Sequence, residues 1–446
     1  MKRYDKYKDS GIDWVGEIPV HWESKRLKYI GYLYGGLAGK SSNDFNQESN
    51  LNNKPFIPFT NICNNKVIDP NQMQQVVIEE GEQQNQVQKG DLFFMMSSEN
   101  FDDVGKSSIL LDDLGETYLN SFCKGFRFTD KQYHPPFINY LLLSKPYRSL
   151  VLTEANGYTR INLKIDKIND IPLKVPPTLD EQKIIAAYLD RKTAEIDKLI
   201  KQKEELLLLL EEEKTAIINQ AVTKGINPDA KMKDSGIDWL GEIPVHWEVK
   251  ILKYLAKVKT GGTPKIQDSK LDYFFEGKVN WYTPVDFYND GYLDDSKRKI
   301  NKLAVENDEV EIFPENSIYL VSIGATLGKV GLSKTKATAN QQINIITFFE
   351  SIINPLFGFY FLTGNKEMIQ YEADYTTLPI LNQTKAKSLK IAFPSIKEQV
   401  SIVNHINYEC AKIKFESEKI KGLIFSLKEY KNAIISEVTT GKVKVF

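Results

Sequence analysis

The sequence predicts an α+β protein made by duplication: two similar mixed domains separated by two long repeated helices that pack as an antiparallel coiled coil, with pseudo-two-fold symmetry. Three observations predict it. The stretch Lys8–Glu23 (Lys-Asp-Ser-Gly-Ile-Asp-Trp-Val-Gly-Glu-Ile-Pro-Val-His-Trp-Glu) returns as Lys233–Glu248 with one change, Val15 to Leu240. A second element, Pro176-Pro177-Thr178-Leu179-Asp180-Glu181-Gln182, is answered by Pro394-Ser395-Ile396-Lys397-Glu398-Gln399. After each of these runs a long segment whose apolar residues coincide at one constant shift. A repeat of this kind fixes architecture before any single residue does.

In chain order, residues 1–24 form the first repeat segment, 25–175 a first mixed domain and 176–225 a central long helix. Residues 226–249 hold the linker and the second repeat segment, 250–390 a second mixed domain and 391–446 a C-terminal long helix. The repeat segment holds four of the five tryptophans and two of the four histidines. Its Trp and Ile side chains are read as pins that dock the entry of each half onto its core. Within the mixed domains, short β-type runs such as Asp91–Met96 and Ser317–Val321 alternate with Gly, Asn, Asp and Pro punctuation, and Phe137–Leu143 has helical character. Landmarks recur in order: Gly35-Gly36 with Gly261-Gly262, Phe59-Thr60-Asn61 with Tyr282-Thr283-Pro284, and Ser97-Ser98 plus Lys106 with Val321-Ser322 plus Lys329.

At the helix entries, prolines stop the preceding strand and Thr178 or Ser395 caps. Glu181 or Glu398, three residues on, is placed to bond back to the cap amide. The apolar positions then pair as Leu189 with Ile406, Ile196 with Ile413, Leu206 with Leu423, Leu207 with Ile424, Leu210 with Leu427 and Ile217 with Ile434. Spacings of three, four and seven put one stripe on each helix. A helix of ~40 residues rises roughly 60 Å, too long to bury its stripe alone, so the two pack on each other.

A chain of 446 residues with 41% hydrophobic and 26% charged residues is that of a multidomain globular protein. It holds no apolar run of ~20 residues and no secretion-type leader, which predicts a cytoplasmic protein without a membrane partner. The three cysteines, Cys63, Cys123 and Cys410, stand far apart and fit neither a disulfide framework nor a zinc site. Net charge is only −1, but Lys25–Lys40 and Lys250–Lys265 are basic runs without an acid. In the first, tyrosines are interleaved. Such runs suit a phosphate backbone, and a solvated face explains them equally well.

An enzyme reading fails on motifs. Gly35–Ser41 has Tyr34 where a phosphate loop needs glycine, and Lys329 is followed by Val330 rather than Ser or Thr. Asn227-Pro228-Asp229 and Asn354-Pro355-Leu356 lack the proline-aromatic pair of an amino-methyltransferase loop. Asp102-Asp103 and Asp294-Asp295 read as solvated loop acids.

The opening Ser-Gly-Ile-Asp-Trp-x-Gly-Glu-Ile-Pro-x-His-Trp, the Pro-Pro-x-x-x-Glu-Gln entry at Pro176–Gln182, the Thr260–Pro264 turn and the Gly324–Lys329 to Asn340-Gln341 stretch together resemble the specificity subunit of type I restriction-modification enzymes. The resemblance covers nearly the whole chain. It departs where Phe393-Pro394 replaces Pro-Pro, and where the first variable segment lacks a Gly-Gly-Thr-Pro turn. It implies a non-catalytic subunit whose two target-recognition domains each read half of a split, asymmetric duplex DNA sequence, with the helices as a ruler for the spacer. It also implies docking of two methyltransferase subunits and of restriction/translocase subunits. No cofactor is expected in this chain; S-adenosylmethionine, ATP and Mg are expected on those partners.

Candidate DNA-contacting residues are Lys40, Ser41, Thr60, Asn61, Ser97, Ser98 and Lys106 in the first domain, and Thr263, Lys265, Thr283, Ser322, Thr326, Lys329 and Gln341 in the second. Candidate subunit-docking and coiled-coil residues are Glu181, Gln182, Leu189, Ile196, Leu206, Leu210 and Ile217, with Glu398, Gln399, Ile406, Ile413, Leu423, Leu427 and Ile434. Tyr158–Asn162 reads either as a turn or as a phosphate contact through Arg160. The competing function is a coiled-coil adaptor whose domains bind something other than DNA.

Overall fold

The computed structural model describes residues 2–45, 50–264, 273–274, 276–288, 291–375 and 378–446. The chain divides into two compact units, Met1–Lys203 with Gly422–Phe446, and Glu204–Lys421. Helix α1 (Leu179–Lys224) and helix α2 (Ile396–Thr439) each give one part to either unit.

Buried positions on α1 fall at Gln182, Ala186, Leu189, Thr193, Ile196 and Ile200 in the first unit, steps of four and three that define a heptad seam. Steps of four, three and seven link Gln399, Val403, Ile406 and Ile413 on α2 in the second unit, the same heptad spacing. Pairing is antiparallel within each unit. In the first, early α1 meets late α2, where Lys431 donates to both oxygens of Asp197 at 2.7 Å. In the second, Ile218, Ala221 and Val222 of late α1 share one core with Ile402, Val403 and Ile406 of early α2.

The expected stripe needs one correction. Leu423 is 43% exposed while Ile424 is 8%, and Leu206, Ile217 and Leu427 are half-buried while Leu210 and Ile218 are buried. Where two apolar residues are adjacent on a helix, their side chains diverge by ~100°, so only one lies on the seam.

Each repeat segment is a small hairpin, Tyr7–Asp9 on Glu17–Pro19 and Met232–Asp234 on Glu242–Pro244. Ser10 and Ser235 each accept the amide two residues on at 3.1 Å, and Asp9 and Asp234 do the same at 2.9 Å. The segment is then zipped to the strand preceding its long helix, Glu23–Arg26 on Pro172–Val175 and Glu248–Ile251 on Lys390–Phe393. Trp22 and Trp247 are buried as expected of pins. Trp14, by contrast, is 47% exposed, whereas its counterpart Trp239 packs edge-on against Phe361.

That zipper brings the two repeated motifs together and overturns the expected capping box. The Glu181 carboxylate does not turn back to its cap; it accepts from Trp22 Nε1 at 3.1 Å and Tyr4 Oη at 2.9 Å, with His21 Nε2 at 3.1 Å. Glu398 accepts from Trp247 Nε1 at 3.1 Å, with His246 Nε2 at 2.8 Å. Gln182 and Gln399 are buried and tie the same corner. Their side-chain carbonyls accept the amides of His134 and Asn354 at 2.8 Å, and their amides donate to Pro176 and Pro394 carbonyls.

The mixed domains share a common two-sheet arrangement, to which the second unit adds one strand. In the first unit the strands are β1 (Gly31–Gly35), β2 (Asn53–Ile57), β3 (Gln74–Val77), β4 (Leu92–Met95), β5 (Ser107–Ile109), β6 (Tyr118–Leu119) and β7 (Cys123–Phe128). They form a β1-β7-β4-β5 sheet and a β6-β2-β3 sheet, with β6 parallel to β2. In the second unit they are β8 (Ala256–Thr260), β9 (Val279–Tyr282), β10 (Tyr292–Leu293), β11 (Lys299–Ile300), β12 (Ile318–Val321), β13 (Val330–Ser333), β14 (Ala337–Ala339) and β15 (Ile343–Phe348). These form a β8-β15-β12-β13-β10 sheet and a β11-β9-β14 sheet, with β14 parallel to β9. The apolar runs predicted as strands are here, and the predicted helical stretch is Pro135–Leu143.

Hydrogen bonds fix the register between the copies. The Leu37 amide donates to Leu119 O at 2.7 Å and the Gly262 amide to Ala339 O at 2.8 Å, so Gly36 corresponds to Gly261. The Asn120 amide donates to Ile57 O and the Asn340 amide to Tyr282 O, so Ile57, not Phe59, corresponds to Tyr282. The Met95 amide donates to Lys106 O and the Val321 amide to Lys329 O, so the two lysines correspond as the sequence order suggests. Among the described residues, no helix is long and apolar enough to cross a membrane.

Candidate nucleic-acid interface

The loops holding the candidates are braced from below by strand crossings too tight for a side chain. A Cβ on Gly36 would meet Asn120 O at 2.1 Å, and one on Gly261 would meet Ala339 O at 2.4 Å. Backbone therefore passes directly over backbone at the same place in both units.

In the first unit the candidates separate into three places. Lys40 is ion-paired with Glu82 at 2.5 Å, and Ser41 caps a short turn through Asp44. The Lys40 ammonium, with Gln84, pulls the Glu82 carboxyl down to about 2. Thr60 is exposed on the helix Phe59–Asn64, while Asn61 beside it is buried, exchanging hydrogen bonds with the Asp69 backbone at 2.9 and 3.0 Å. Lys106 reaches the end of that helix, donating to Cys63 O at 3.3 Å and pairing with Asp103 at 2.6 Å. Ser97 and Ser98 lie half-buried in a two-stranded ribbon against Asn162 and Ile161.

In the second unit Thr263 and Gln341, both exposed, are brought together by a 2.6 Å hydrogen bond. Thr283 caps a turn through Asp286, Ser322 is buried and bonded to Leu320 O at 2.9 Å, and Thr326 sits half-buried in the turn before Lys329. Lys329 is exposed and donates to Phe287 O at 3.5 Å, a backbone carbonyl just past a short helical turn, much as Lys106 donates to Cys63 O in the first unit. Lys265 lies outside the described residues.

Two clefts adjoin these loops. In the first unit a shallow one of about 600 Å³ is lined by Ser97, Phe122, Lys124, Arg160, Asn162 and Lys164. In the second, Lys329 joins Lys366, Lys414 and Lys421 around a groove of about 840 Å³ with Tyr288 and Phe359. Both are lysine-rich with aromatic rings, a surface suited to a polyanion carrying stacked rings. Sequence reasoning missed Phe122, Lys124 and Lys164. They are brought to Arg160 by long-range pairings, the Met96 amide on Phe122 O and the Leu163 amide on Met96 O, which leave no local pattern.

Residues 19–208 and 244–423 each match the family model described as type I restriction modification DNA specificity domain. Over 174 residues the chain is 32% identical to the type I restriction enzyme MjaIX specificity subunit of Methanocaldococcus jannaschii, covering 38% of this chain and 39% of that one. Over 449 residues it is 24% identical to the StySPI specificity subunit of Salmonella potsdam, covering 96% and 90%. In fold it is similar, at TM-score 0.69 and 12% identity, to a solved chain from a study of complex assembly and conformational transition in the type I R-M system, covering 96% of this chain and 99% of that one. With the domain matched twice, in the two copies that the repeats mark out, the chain belongs to the type I restriction modification DNA specificity family.

Proposed function

We propose that each unit reads one half of a bipartite, asymmetric DNA duplex, and that the helix pair sets the unread spacer. In this reading the chain docks two methyltransferase subunits and, with them, restriction/translocase subunits in the cytoplasm. Those partners hold S-adenosylmethionine, ATP and Mg, and this chain contributes no catalytic group.

The observation that carries the reading is one frame used twice with different side chains at matched positions. The glycine crossings, the parallel strand pairs and the Lys106 and Lys329 positions coincide, while the loop residues around them differ. Two readers of one build and different surface are what a split, non-palindromic target requires. Cations position such a protein on phosphates, and base edges carry the sequence information.

The test is co-expression with the methyltransferase subunit followed by methylation mapping of the host genome. The expected result is one split motif with a fixed gap. A co-purified chain that modifies no motif, together with duplex binding that does not weaken as salt rises, supports the adaptor instead, since an adaptor releases no counterions.

A further inference from the structure

We infer that Arg160 is a base-reading residue of the first unit, recognising a guanine edge in the major groove. The inference rests on the proposed reading of DNA by each unit and names one side chain of that reader.

Three features of Arg160 lead there. First, its guanidinium lies 4.7 Å from the centroid of the Phe122 ring, and Phe122 is 43% exposed. A cation–π contact of this kind restrains the guanidinium without using its N–H donors, which stay available for bidentate recognition. Second, Arg160 is exposed and has no ion pair and no side-chain hydrogen bond among the described residues. A second arginine of this unit, Arg127 over Tyr34, is by contrast engaged by Asp91 and by the Gln86 carbonyl through Nε and Nη2. Third, the backbone beneath Arg160 is fixed. The Asn156 and Asn162 amides exchange hydrogen bonds at 3.0 and 2.8 Å, Asn162 Nδ2 donates to Arg160 O at 3.1 Å, and Gly157 at φ 145° lets that carbonyl come where a Cβ would meet it at 2.1 Å. An arginine held this way, with Lys124 and Lys164 beside it in an open cleft, presents its donors to an anionic or acceptor-rich ligand.

Guanine is the base whose O6 and N7 acceptors match an arginine fork. The second unit supplies the contrast. The Leu163 amide donates to Met96 O and the Leu381 amide to Ser322 O, so Arg160 corresponds to Leu378, which is 52% exposed. At the same point of the frame one copy presents a donor fork and the other an apolar side chain, which cannot read the same base.

The experiment is methylation mapping with the whole chain and its methyltransferase partner, comparing wild type with Arg160→Ala, Arg160→Lys and Phe122→Leu. Thermal unfolding of each variant checks that it is folded. In wild type, one half-site contains an invariant G·C pair. Arg160→Ala and Arg160→Lys make that one position degenerate, lowering discrimination there by roughly 5- to 150-fold, and leave the other half-site unchanged. Phe122→Leu weakens discrimination at the same position. If Arg160→Ala lowers methylation evenly at all sites with every position still fixed, Arg160 is a phosphate contact and the inference is wrong. An unchanged motif in all three variants overturns it as well, while the wild-type motif keeps the proposed function standing. Absence of any wild-type motif removes both.

Discussion

Trp22 donates its indole N–H to Glu181 at 3.1 Å, closing 159 residues of chain into one corner. Trp247 and Glu398 close the second corner with the same 3.1 Å bond. Each acid serves as a part-buried acceptor at a helix start, where the helix dipole favours its charge. Replacing Glu181 or Glu398 by Ala leaves an indole N–H unpaired and is expected to cost roughly 1.5–3 kcal/mol. Urea unfolding of the single variants measures it; a loss under about 0.5 kcal/mol would show the corner to be held by packing alone.

The helix seam gives a test with an internal control. Leu210→Ala removes a side chain that is 7% exposed and should cost about 2–5 kcal/mol, whereas Leu208→Ala, at 67% exposed, should change stability by less than about 0.5 kcal/mol. Equal effects of the two changes, read from denaturant midpoints, would mean that the seam is not the packed face.

Gly261 and Gly262 are neighbours with opposite expectations. Gly261→Ala drives a Cβ to 2.4 Å from two backbone oxygens, while a Cβ on Gly262 meets nothing within 4 Å. Gly261→Ala should destabilise the second unit by more than about 2 kcal/mol and blur one half-site; Gly262→Ala should do neither. Calorimetry and methylation mapping read the two effects separately.

Lys40 and Glu82 make a pH prediction. The Glu82 carboxyl is held at about 2 against an ordinary 4.5, so its pairing contributes stability above pH 4.5 that is lost as pH falls from 4.5 toward 2. Lys40→Met should therefore destabilise the protein at pH 7 and converge on wild type in that window. Thermal unfolding at pH 7, 4 and 3 measures the gap; a gap that stays constant would mean the pair carries no pH-linked stability.

Much of the fold was legible because its signals are local. A duplicated segment is visible without knowing what it touches, and a heptad stripe such as Leu189, Ile196, Ile406 and Ile413 is carried by spacing alone. Element type survived for the same reason. Register did not: Phe59 against Tyr282 is two residues off, since β-strand correspondence is set by which carbonyl accepts which amide and not by residue type. The candidate site was less legible still. Ser41 and Thr283 cap turns, Asn61 and Ser322 satisfy buried backbone, and among the described candidates of the second unit only Thr263 and Gln341 meet through their side chains.

By itself the sequence determined the duplication, the two long helices and the family, all of which depend on repetition along the chain. Tertiary structure alone decided that Glu181 answers Trp22 instead of its own cap, that Ile424 and not Leu423 is buried, and that Arg160 lies over Phe122 with its fork open. The physical reason is the range of the interaction. Helix periodicity and turn chemistry are written within a few residues, whereas a hydrogen bond or a stack spanning tens to hundreds of residues exists only once sheets have paired and fixed which side chains share a corner.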